Sequence, residues 1–491
     1  MKSTKVISKY LAHYAENISP WLDGFPPNSS FQRCVVIPAF DENTRFIEHL
    51  NHQASDNTLI ILILNCAKSC TTQQRSNTLK AKSHLLNLGK VTWQSAKGES
   101  VQLIQSSSAH WLVWDITDWN DSNSLDTFVH GVGYARKLGM DLALRLFSQN
   151  QIADPFFLTT DADVLLPDEY FELPVLVGQY TSEQCEKGNK NNNCSGYIFP
   201  FQHTYISTAP SKTESTTKSK KEPSPTNIAA ILYEMSLRYY VLGLRWAGSP
   251  WGFHTVGSTL AIHAFHYAAN RGFPKREAGE DFYLLNKIAK TGAVLSLKKP
   301  VITLSDRASH RVPFGTGPAV QRIQQLDSIM NEFMLYNPAC FEWLKLWLLA
   351  IPKLYTQPLT VALTEVQDMA QKKVANYVEI NEKIHDILLG LNIEKSINHS
   401  RKQSKSAAEF CRHMLTWFDA FKTLKFIHAA RNKYLPSLTL SEWTHAIELN
   451  NIPFISQPTE SSPEGQHHKI TQLSRHLAAL EQTTLPYTSS I

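Results

Sequence analysis

Residues 154–163 read Asp154-Pro155-Phe156-Phe157-Leu158-Thr159-Thr160-Asp161-Ala162-Asp163, an apolar run that ends in two acidic residues. Alternate residues of a strand face the same side, so Asp161 and Asp163 leave the strand on one face. Carboxylates beside an apolar core are costly unless a cation neutralises them, as Mg²⁺ or Mn²⁺ does when bound by carboxylates and phosphates. The stretch therefore predicts a cation site at the end of a buried strand. The alternative is a solvated turn that carries two aspartates.

Three more apolar runs precede this strand, at Cys34–Ile37, Leu59–Leu64 and His110–Asp115. Continuous apolar strands of this length are typical of a parallel sheet that is covered on both faces. Helix-like stretches lie between them at residues 42–53 and 124–149. The alternation of strands and helices predicts an open α/β domain with its ligands at the carboxyl ends of the strands.

The 491 residues suggest two or three domains, at about 150 residues each. We expect a helical lead-in over residues 1–30, an α/β domain over 31–319 and a helical domain over 320–491. Apolar residues at helical spacing from Leu359 to Leu388 predict one long helix in the last of these. Residues 208–226 contain no large apolar side chain, and this polar insertion is interpreted either as a lid or as surface decoration.

Composition narrows the class of protein. Apolar residues make up 43% of the chain, enough to build cores, which excludes a disordered or coiled-coil protein. A net charge of +5 suits phosphate-bearing small molecules but is too small to indicate nucleic acid. The seven scattered cysteines form no CxxC pair and indicate reduced thiols in the cytoplasm. No apolar run could span a bilayer, so membrane association is peripheral at most, and the segment Phe341–Ile351 is either a surface helix or a buried one.

Five other segments carry chemistry-bearing residues, and each has an ordinary alternative. The segment Val35–Glu42 delivers two carboxylates after a strand, or is a helix start with acidic residues that suit its dipole. The segment Ser305–Gly317 contains two arginines and a histidine that suit a phosphate clamp, or is a solvated loop. The segment Gly131–Gly139 is either a helix that places basic residues near the strand ends or a solvated basic face. The segment Gly248–Ser258 forms either an aromatic wall that stacks on a sugar or part of the core. The pair Glu280-Asp281 belongs either to a site or to an ordinary helix start.

In this order the motifs resemble those of the family 2 glycosyltransferases, which have the GT-A fold, a Rossmann-like mixed sheet that binds nucleotide-diphospho-sugars. The resemblance covers residues 33–315 and rests on four segments. They are Val35–Glu42, the helix Gly131–Gly139, Asp161-Ala162-Asp163 and the acidic pair Glu280-Asp281. The chain departs from the family pattern at three positions, with Asp41 where Asn is usual, Lys137 where Asn is usual, and Asn65 where an Asp is frequent.

The resemblance implies a role for each matching residue. Pro38, Ala39 and Glu42 would line the nucleotide pocket, with Asn65 near the base. Arg136 would approach the nucleotide or its diphosphate. Separately from the resemblance, Arg307 and Arg311 of the segment Ser305–Gly317 are candidates to clamp a phosphate. Asp161 would contact the ribose or the metal, Asp163 would bind the metal, and His310 or His254 would be a further metal ligand. Asp281 would be the general base, with Glu280 orienting it or binding the acceptor.

The activity that the resemblance implies is a metal-dependent, hexosyltransferase-type transfer with inversion. A sugar would move from a nucleotide-diphosphate donor to a hydroxyl on a sugar, a lipid-linked sugar or a small molecule, with Mn²⁺ or Mg²⁺ as cofactor. Two alternatives stay open. Asp161-Ala162-Asp163 after an apolar strand also resembles the first motif of haloacid-dehalogenase-like phosphatases, and the substitutions at Asn65 and Lys137 would suit a non-catalytic binding protein on a transferase scaffold.

Overall fold

The computed structural model of the 491-residue chain describes residues 2–55, 57–67, 69–118, 131–172, 194–203, 225–307, 315–370, 377–458, 465–485 and 487–489. These form two compact units. The first comprises Met1–Thr204 and Thr255–Gly317, and the second comprises Tyr205–His254 and Pro318–Ile491. Residues 205–254, which the sequence analysis places in a continuous 31–319 domain, therefore group with the helical part of the chain.

The strands, in chain order, are β1 Arg33–Ala39, β2 Thr58–Leu64, β3 Lys90–Gln94, β4 Val101–Gln105, β5 His110–Asp115, β6 Phe156–Thr159, β7 Cys194–Ile198, β8 Phe201–His203, β9 Leu260–His263, β10 Ala293–Ser296, β11 Ile302–Leu304, β12 Met334–Leu335, β13 Leu438–Thr439 and β14 Tyr487–Thr488. The helices are α1 Lys2–His13, α2 Arg45–Gln53, α3 Thr72–Leu88, α4 Val132–Ser148, α5 Pro225–Trp246, α6 Ala264–Ala269, α7 Glu280–Ile288, α8 Thr316–Gln324, α9 Ile329–Glu332, α10 Ala339–Ala350, α11 Leu359–Ala370, α12 Tyr377–Gly390, α13 Ile393–Gln403, α14 Ala407–Trp417, α15 Ala420–Lys433, α16 Leu440–Glu448 and α17 Gln466–Thr483.

The first unit is built on one mixed sheet, whose described strands lie in the order β10-β7-β9-β6-β1-β2-β5-β4-β3. Strand β1 pairs in parallel with β2 and β6, and β2 pairs in parallel with β5. Strands β4 and β9 run antiparallel to their neighbours. All seven residues of β2 are buried, which explains its uninterrupted apolar sequence. The mixed α/β architecture predicted from the sequence is confirmed for this unit.

Helix α4 packs against the sheet through a glycine. A Cβ atom at Gly139 would overlap the Val36 side chain of β1, so only glycine allows this close approach. The predicted helix over 124–149 begins at Val132 in the structure, and residues 119–130 lie outside the described part of the chain.

Strands β8 and β11 of the first unit pair in parallel and form a separate two-stranded sheet. The turn after β6 is joined to it, because Leu165 and Thr303 exchange two backbone hydrogen bonds of 2.9 and 3.0 Å. Residues 305–307, which follow β11, are thereby tied to the turn that contains Asp161 and Asp163.

The second unit is a helical assembly around one apolar core. Helix α10, which contains most of the segment 341–351, buries Phe341, Trp343, Leu344 and Trp347 in that core, as one of its two interpretations predicted. The prediction of one long helix over 359–388 is wrong, because α11 and α12 are separate helices that pack against each other. Helical spacing persists across two helices that bury their apolar faces in one core, so the period alone does not reveal the break.

No helix in the described part of the chain combines the length and the apolar character needed to cross a membrane. The six described cysteines are free thiols, and Cys185 lies outside the described residues, as do residues 208–224 of the polar insertion.

Candidate active site

Acidic side chains of the first unit follow the carboxyl ends of two parallel strands. Glu42 comes after β1, and Asp161 and Asp163 come directly after β6. Because β1 and β6 are parallel neighbours, their carboxyl ends lie at the same edge of the sheet. Glu280 and Asp281, the first two residues of α7, bring two more carboxyl groups to this region.

A buried arginine joins two of these segments. The Arg136 side chain on α4 donates through Nη1 to Glu280 and through Nη2 to Asp161. Arg136 is only 3% exposed, so its charge is compensated by these carboxylates rather than by water. Its Nε has no hydrogen-bond partner among the described residues. The sequence expectation placed Arg136 against the nucleotide, whereas in the structure it connects the strand end to the acidic pair.

Glycines make room for this arrangement. A Cβ atom at Gly257 would overlap the Arg136 guanidinium. At the start of α4, the Gly133 amide donates to the Arg276 carbonyl at 3.2 Å, and a Cβ at Gly133 would lie 2.6 Å from the same oxygen. The helix that carries Arg136 therefore begins against the backbone segment that leads into Glu280.

Asp281 has the most perturbed carboxyl group in the cluster. Desolvation and the neighbouring negative charge of Glu280 raise its pKa from 3.8 to about 7. The positive charge of Arg136 and the Phe282 amide, which donates to Oδ1 at 2.7 Å, act in the opposite direction. A carboxyl group with a pKa near neutrality can accept a proton at physiological pH, as a general base must.

A second arginine bridges the other two carboxylates. Arg307, which follows β11, donates to Glu42 at 2.7 Å and to Asp163 at 3.2 Å. Its side chain is 40% exposed, in contrast to Arg136. Its half-exposed guanidinium is accessible to an incoming anion, although the Glu42 side chain that it pairs with is only 7% exposed.

The residues predicted to line a nucleotide pocket cluster at the ends of β1 and β2. Pro38 and Ala39 are the buried last residues of β1. The backbone amide of the buried Asn65 donates to the Ala39 carbonyl at 3.2 Å. Asp41 adopts a left-handed backbone conformation, with φ of 53°, and its amide donates to Thr78 Oγ1 at 2.9 Å. Aspartate tolerates this conformation better than most residues.

The donor set for a divalent cation consists of two carboxylates in the described residues. Asp161 and Asp163 are each paired with an arginine, and the described part of the chain contains no group of three His, Cys, Asp or Glu side chains that could hold a metal. His310 and Arg311 lie outside the described residues. Two carboxylates still fit Mg²⁺ or Mn²⁺, which bind through one or two protein carboxylates together with substrate phosphates and water.

For two predicted segments the structure excludes or favours one of the interpretations that the sequence left open. Lys137 is buried, and its Nζ binds Asp141 at 2.9 Å and Tyr10 at 2.7 Å, so the solvated-face alternative for this helix is wrong. Trp251 and Phe253, the aromatic residues of the candidate sugar-stacking wall, are buried. Trp251 donates to the Phe418 carbonyl within the second unit, as expected for core packing.

His254 belongs to a buried ionic cluster of the second unit. Its Nε2 lies 2.7 Å from Glu481, which also pairs with Arg238. Burial raises the pKa of Glu481, but the neighbouring His254, Arg238 and Arg245 together hold it far below its usual range. Sequence reasoning missed this cluster and the role of Gly257. The only available signal was the four-residue spacing of Glu234 and Arg238 on α5, which places an ion pair on one helix face.

Comparison with known proteins adds little to this geometry. No protein-family model matches the chain, and no curated protein matches it. Among 27 matching solved chains is a structure of S. aureus TarS, residues 1–349. It is 10% identical over 79% of this chain and 91% of that chain, with a TM-score of 0.30. A likeness this weak does not assign a fold or a function.

Proposed function

We propose that this chain is a GT-A-type glycosyltransferase that moves a sugar from a nucleotide-diphosphate sugar to a hydroxyl acceptor, with inversion at the anomeric carbon. One observation carries the proposal. Arg136 links Asp161, at the end of a sheet strand, to Glu280, so the neighbouring Asp281 with its pKa near 7 lies in the same cluster as the strand-end carboxylates. Perturbed carboxyl groups of this kind are typical of active sites.

The donor nucleotide is assigned to the ends of β1 and β2, where Pro38, Ala39 and Asn65 lie close together. Arg307 is the cation best placed to contact the diphosphate, because its side chain is half-exposed. Its partner Asp163 could bind the divalent cation that accompanies the donor, which would free Arg307 for the diphosphate. Arg136 is too deeply buried for direct contact, so its role is to hold Asp161 and Glu280 in place.

The charge balance of the site supports a divalent cation. Four carboxylates and the partly protonated Asp281 face two guanidinium groups in the described residues: Glu42, Asp161, Asp163 and Glu280 against Arg136 and Arg307. An excess of negative charge would repel a diphosphate. Mn²⁺ or Mg²⁺ held by Asp161 and Asp163 would reverse this repulsion and neutralise the charge that develops on the departing diphosphate.

The proposed reaction is a single displacement. Oδ2 of Asp281 takes the proton of the acceptor hydroxyl while Oδ1 is held by the Phe282 amide. The acceptor oxygen forms a bond to the anomeric carbon as the bond from that carbon to the diphosphate oxygen breaks. The nucleoside diphosphate leaves with the electron pair of the broken bond. A positioned general base contributes about 10²–10⁴ in rate.

The test is a thermal-shift screen of nucleoside diphosphates with and without Mn²⁺. A ligand at a hundred times its Kd stabilises the folded state by about 2.7 kcal/mol, so one base should give a cation-dependent rise in Tm. Asp163→Asn should abolish the cation dependence. Asp168→Asn, which changes an exposed carboxylate a few residues further on, should retain it.

Turnover assays then separate the alternatives. Consumption of the matching nucleotide sugar in the presence of acceptors supports the transferase. Phosphate release from a phosphate monoester without nucleotide-sugar consumption would identify a phosphatase instead. Cation-dependent binding without turnover of any nucleotide sugar would favour the non-catalytic binding protein.

A further inference from the structure

Two cysteines lie together at the end of β2. Cys66 follows the strand, and the Cys70 amide donates to the Ala67 carbonyl at 2.9 Å, closing a turn. This turn folds the chain back towards Cys66, and the two thiols are close enough to interact electrostatically. Both are free thiols, Cys66 buried and Cys70 half-buried.

The Cys66 thiol also belongs to a hydrogen-bond chain that reaches the candidate active site. Its Sγ donates to Thr78 Oγ1 at 3.8 Å. The same Oγ1 accepts the Asp41 amide at 2.9 Å and donates to the Gln74 carbonyl at 2.8 Å. Asp41 immediately precedes Glu42, a partner of Arg307. A displacement of the Cys66 sulfur therefore acts first on Thr78 and then on the left-handed turn at Asp41.

We propose that Cys66 and Cys70 form a redox modification site, in which a low-molecular-weight disulfide such as glutathione disulfide converts the two thiols into an intramolecular disulfide. Bonding of Cys66 to Cys70 removes the Cys66 thiol proton and breaks its hydrogen bond to Thr78. The Asp41 turn then loses one of its supports. This inference stands on the thiol geometry and does not depend on the proposed transferase activity.

The exchange balances in two steps. The Cys70 thiolate attacks one sulfur of glutathione disulfide, forming a mixed disulfide and releasing one glutathione thiolate. The Cys66 sulfur then attacks the Cys70 sulfur and releases the second glutathione thiolate. Overall the two protein thiols lose two electrons and two protons, and one glutathione disulfide becomes two glutathione thiols.

Accessibility assigns this order of attack. Burial raises the pKa of the Cys66 thiol to about 12, so it is a poor first nucleophile. Cys70 is half-buried and is therefore the more accessible of the two thiols. Cys66 attacks second, when the mixed disulfide on Cys70 is already beside it.

The experiment equilibrates the full-length folded chain across a series of ratios of oxidised to reduced glutathione. It then blocks free thiols by alkylation and maps the peptides by mass spectrometry. The wild type should lose the mass of two hydrogen atoms in the peptide that contains both cysteines. Cys66→Ser should stop at a glutathione adduct on Cys70, and Cys70→Ser should form neither. Cys411→Ser, which removes a half-buried thiol of the second unit, should behave as wild type.

Two outcomes would overturn the assignment of the pair. One is alkylation of both Cys66 and Cys70 at every ratio, and the other is a wild-type protein that stops at the glutathione adduct. The link to the Asp41 turn has its own readout in amide hydrogen exchange. Loss of one hydrogen-bond support should speed exchange in peptides containing the Asp41 amide about five- to tenfold in the oxidised wild type. Unchanged exchange there would refute the link.

Discussion

Each unit of the chain contains a buried arginine that joins two carboxylates, yet the two clusters differ in charge balance. In the second unit, Arg238 bonds Glu234 and Glu481, Arg245 adds a second positive partner to Glu481, and His254 Nε2 lies 2.7 Å from the same carboxylate. In the first unit, Arg136 bonds Asp161 and Glu280, with the further carboxyl group of Asp281 beside them.

The pKa shifts of the two clusters have opposite directions. Cationic partners lower the pKa of Glu481, whereas desolvation and the charge of Glu280 raise that of Asp281. A buried cluster whose charges cancel holds a fold together, and a cluster with excess charge of one sign retains a group that can exchange protons. Burial alone therefore does not distinguish a structural ion pair from a candidate active site, but the balance of charge does.

The largest expected effect is on catalysis, when the carboxyl group of Asp281 is removed from the cluster with excess negative charge. Asp281→Asn removes the proposed base and should lower the transferase kcat by about 10²–10⁴. The measurement is single-turnover kinetics with the nucleotide sugar found in the binding screen. Asp386→Asn, which alters an exposed ion pair with Lys433, should leave kcat within twofold, roughly, because Asp386 belongs to the second unit and every group assigned to the reaction belongs to the first. Equal losses in both variants would contradict the assignment.

The ionic cluster of the second unit, whose charges balance, should contribute to the stability of the fold. Arg238→Ala leaves Glu234 and Glu481 without their shared cation, and the free energy of unfolding should fall by about 3–5 kcal/mol. Chemical denaturation measures it, with Lys433→Ala as the control, because an exposed ion pair contributes little to stability. A loss no larger than that of the control would show that the buried cluster contributes nothing special.

Gly257→Ala tests the space that Arg136 needs. The added methyl group overlaps the guanidinium, and overpacking of this kind costs about 1–3 kcal/mol in stability. Displacement of Arg136 should also reduce turnover. Gly390→Ala adds a methyl group in open space and should not destabilise the protein. If Gly257→Ala were as stable and as active as Gly390→Ala, Arg136 would not depend on this glycine.

The pH dependence of stability sharpens the contrast. The folded protein holds a proton on Asp281 up to about pH 7, whereas the unfolded chain releases it near the ordinary pKa of 3.8. Stability is therefore lost as the pH rises between these values. Asp281→Asn carries no such penalty and should exceed wild type by about 1–3 kcal/mol above pH 7, with the difference vanishing below about pH 4. A difference that is constant across this range would refute the raised pKa.

The smallest stability effect is expected at Arg307. Its side chain is 40% exposed, but the Glu42 side chain that it pairs with is only 7% exposed, so Arg307→Ala should lower the free energy of unfolding by about 1 kcal/mol. Binding of the nucleoside diphosphate should weaken all the same, because the variant lacks the accessible cation of the site. Isothermal titration measures the affinity, and an unchanged Kd would remove Arg307 from the donor pocket.

The sequence predicted those parts of the fold whose signal is local. Strands β1, β2, β5 and β6 were recognisable because strands buried on both faces are continuously apolar. Strand β3 was not, since Lys90–Gln94 is a sheet-edge strand whose residues alternate between exposed and half-buried. The separation of α11 from α12 was also missed, because apolar spacing does not encode a change of direction.

The location of the candidate site was predictable from the rule that the carboxyl ends of parallel strands lie at one edge of the sheet. That rule, with the family resemblance, placed Asp161, Arg136 and Glu280 in one region, where the structure joins them. The functions given to them stay proposals. The need for glycine at position 257 depends on a three-dimensional approach that no spacing records, whereas Lys137 and Asp141 had a readable four-residue spacing that was overlooked.

The paired hydrogen bonds between Leu165 and Thr303 have a consequence for engineering. They join the segment after β6 to the segment that contains β11. A change in the length of either segment would therefore shift Arg307 relative to Asp163. Anyone who transplants loops between this chain and another scaffold should move both segments together. Natural insertions are expected to accumulate elsewhere along the chain.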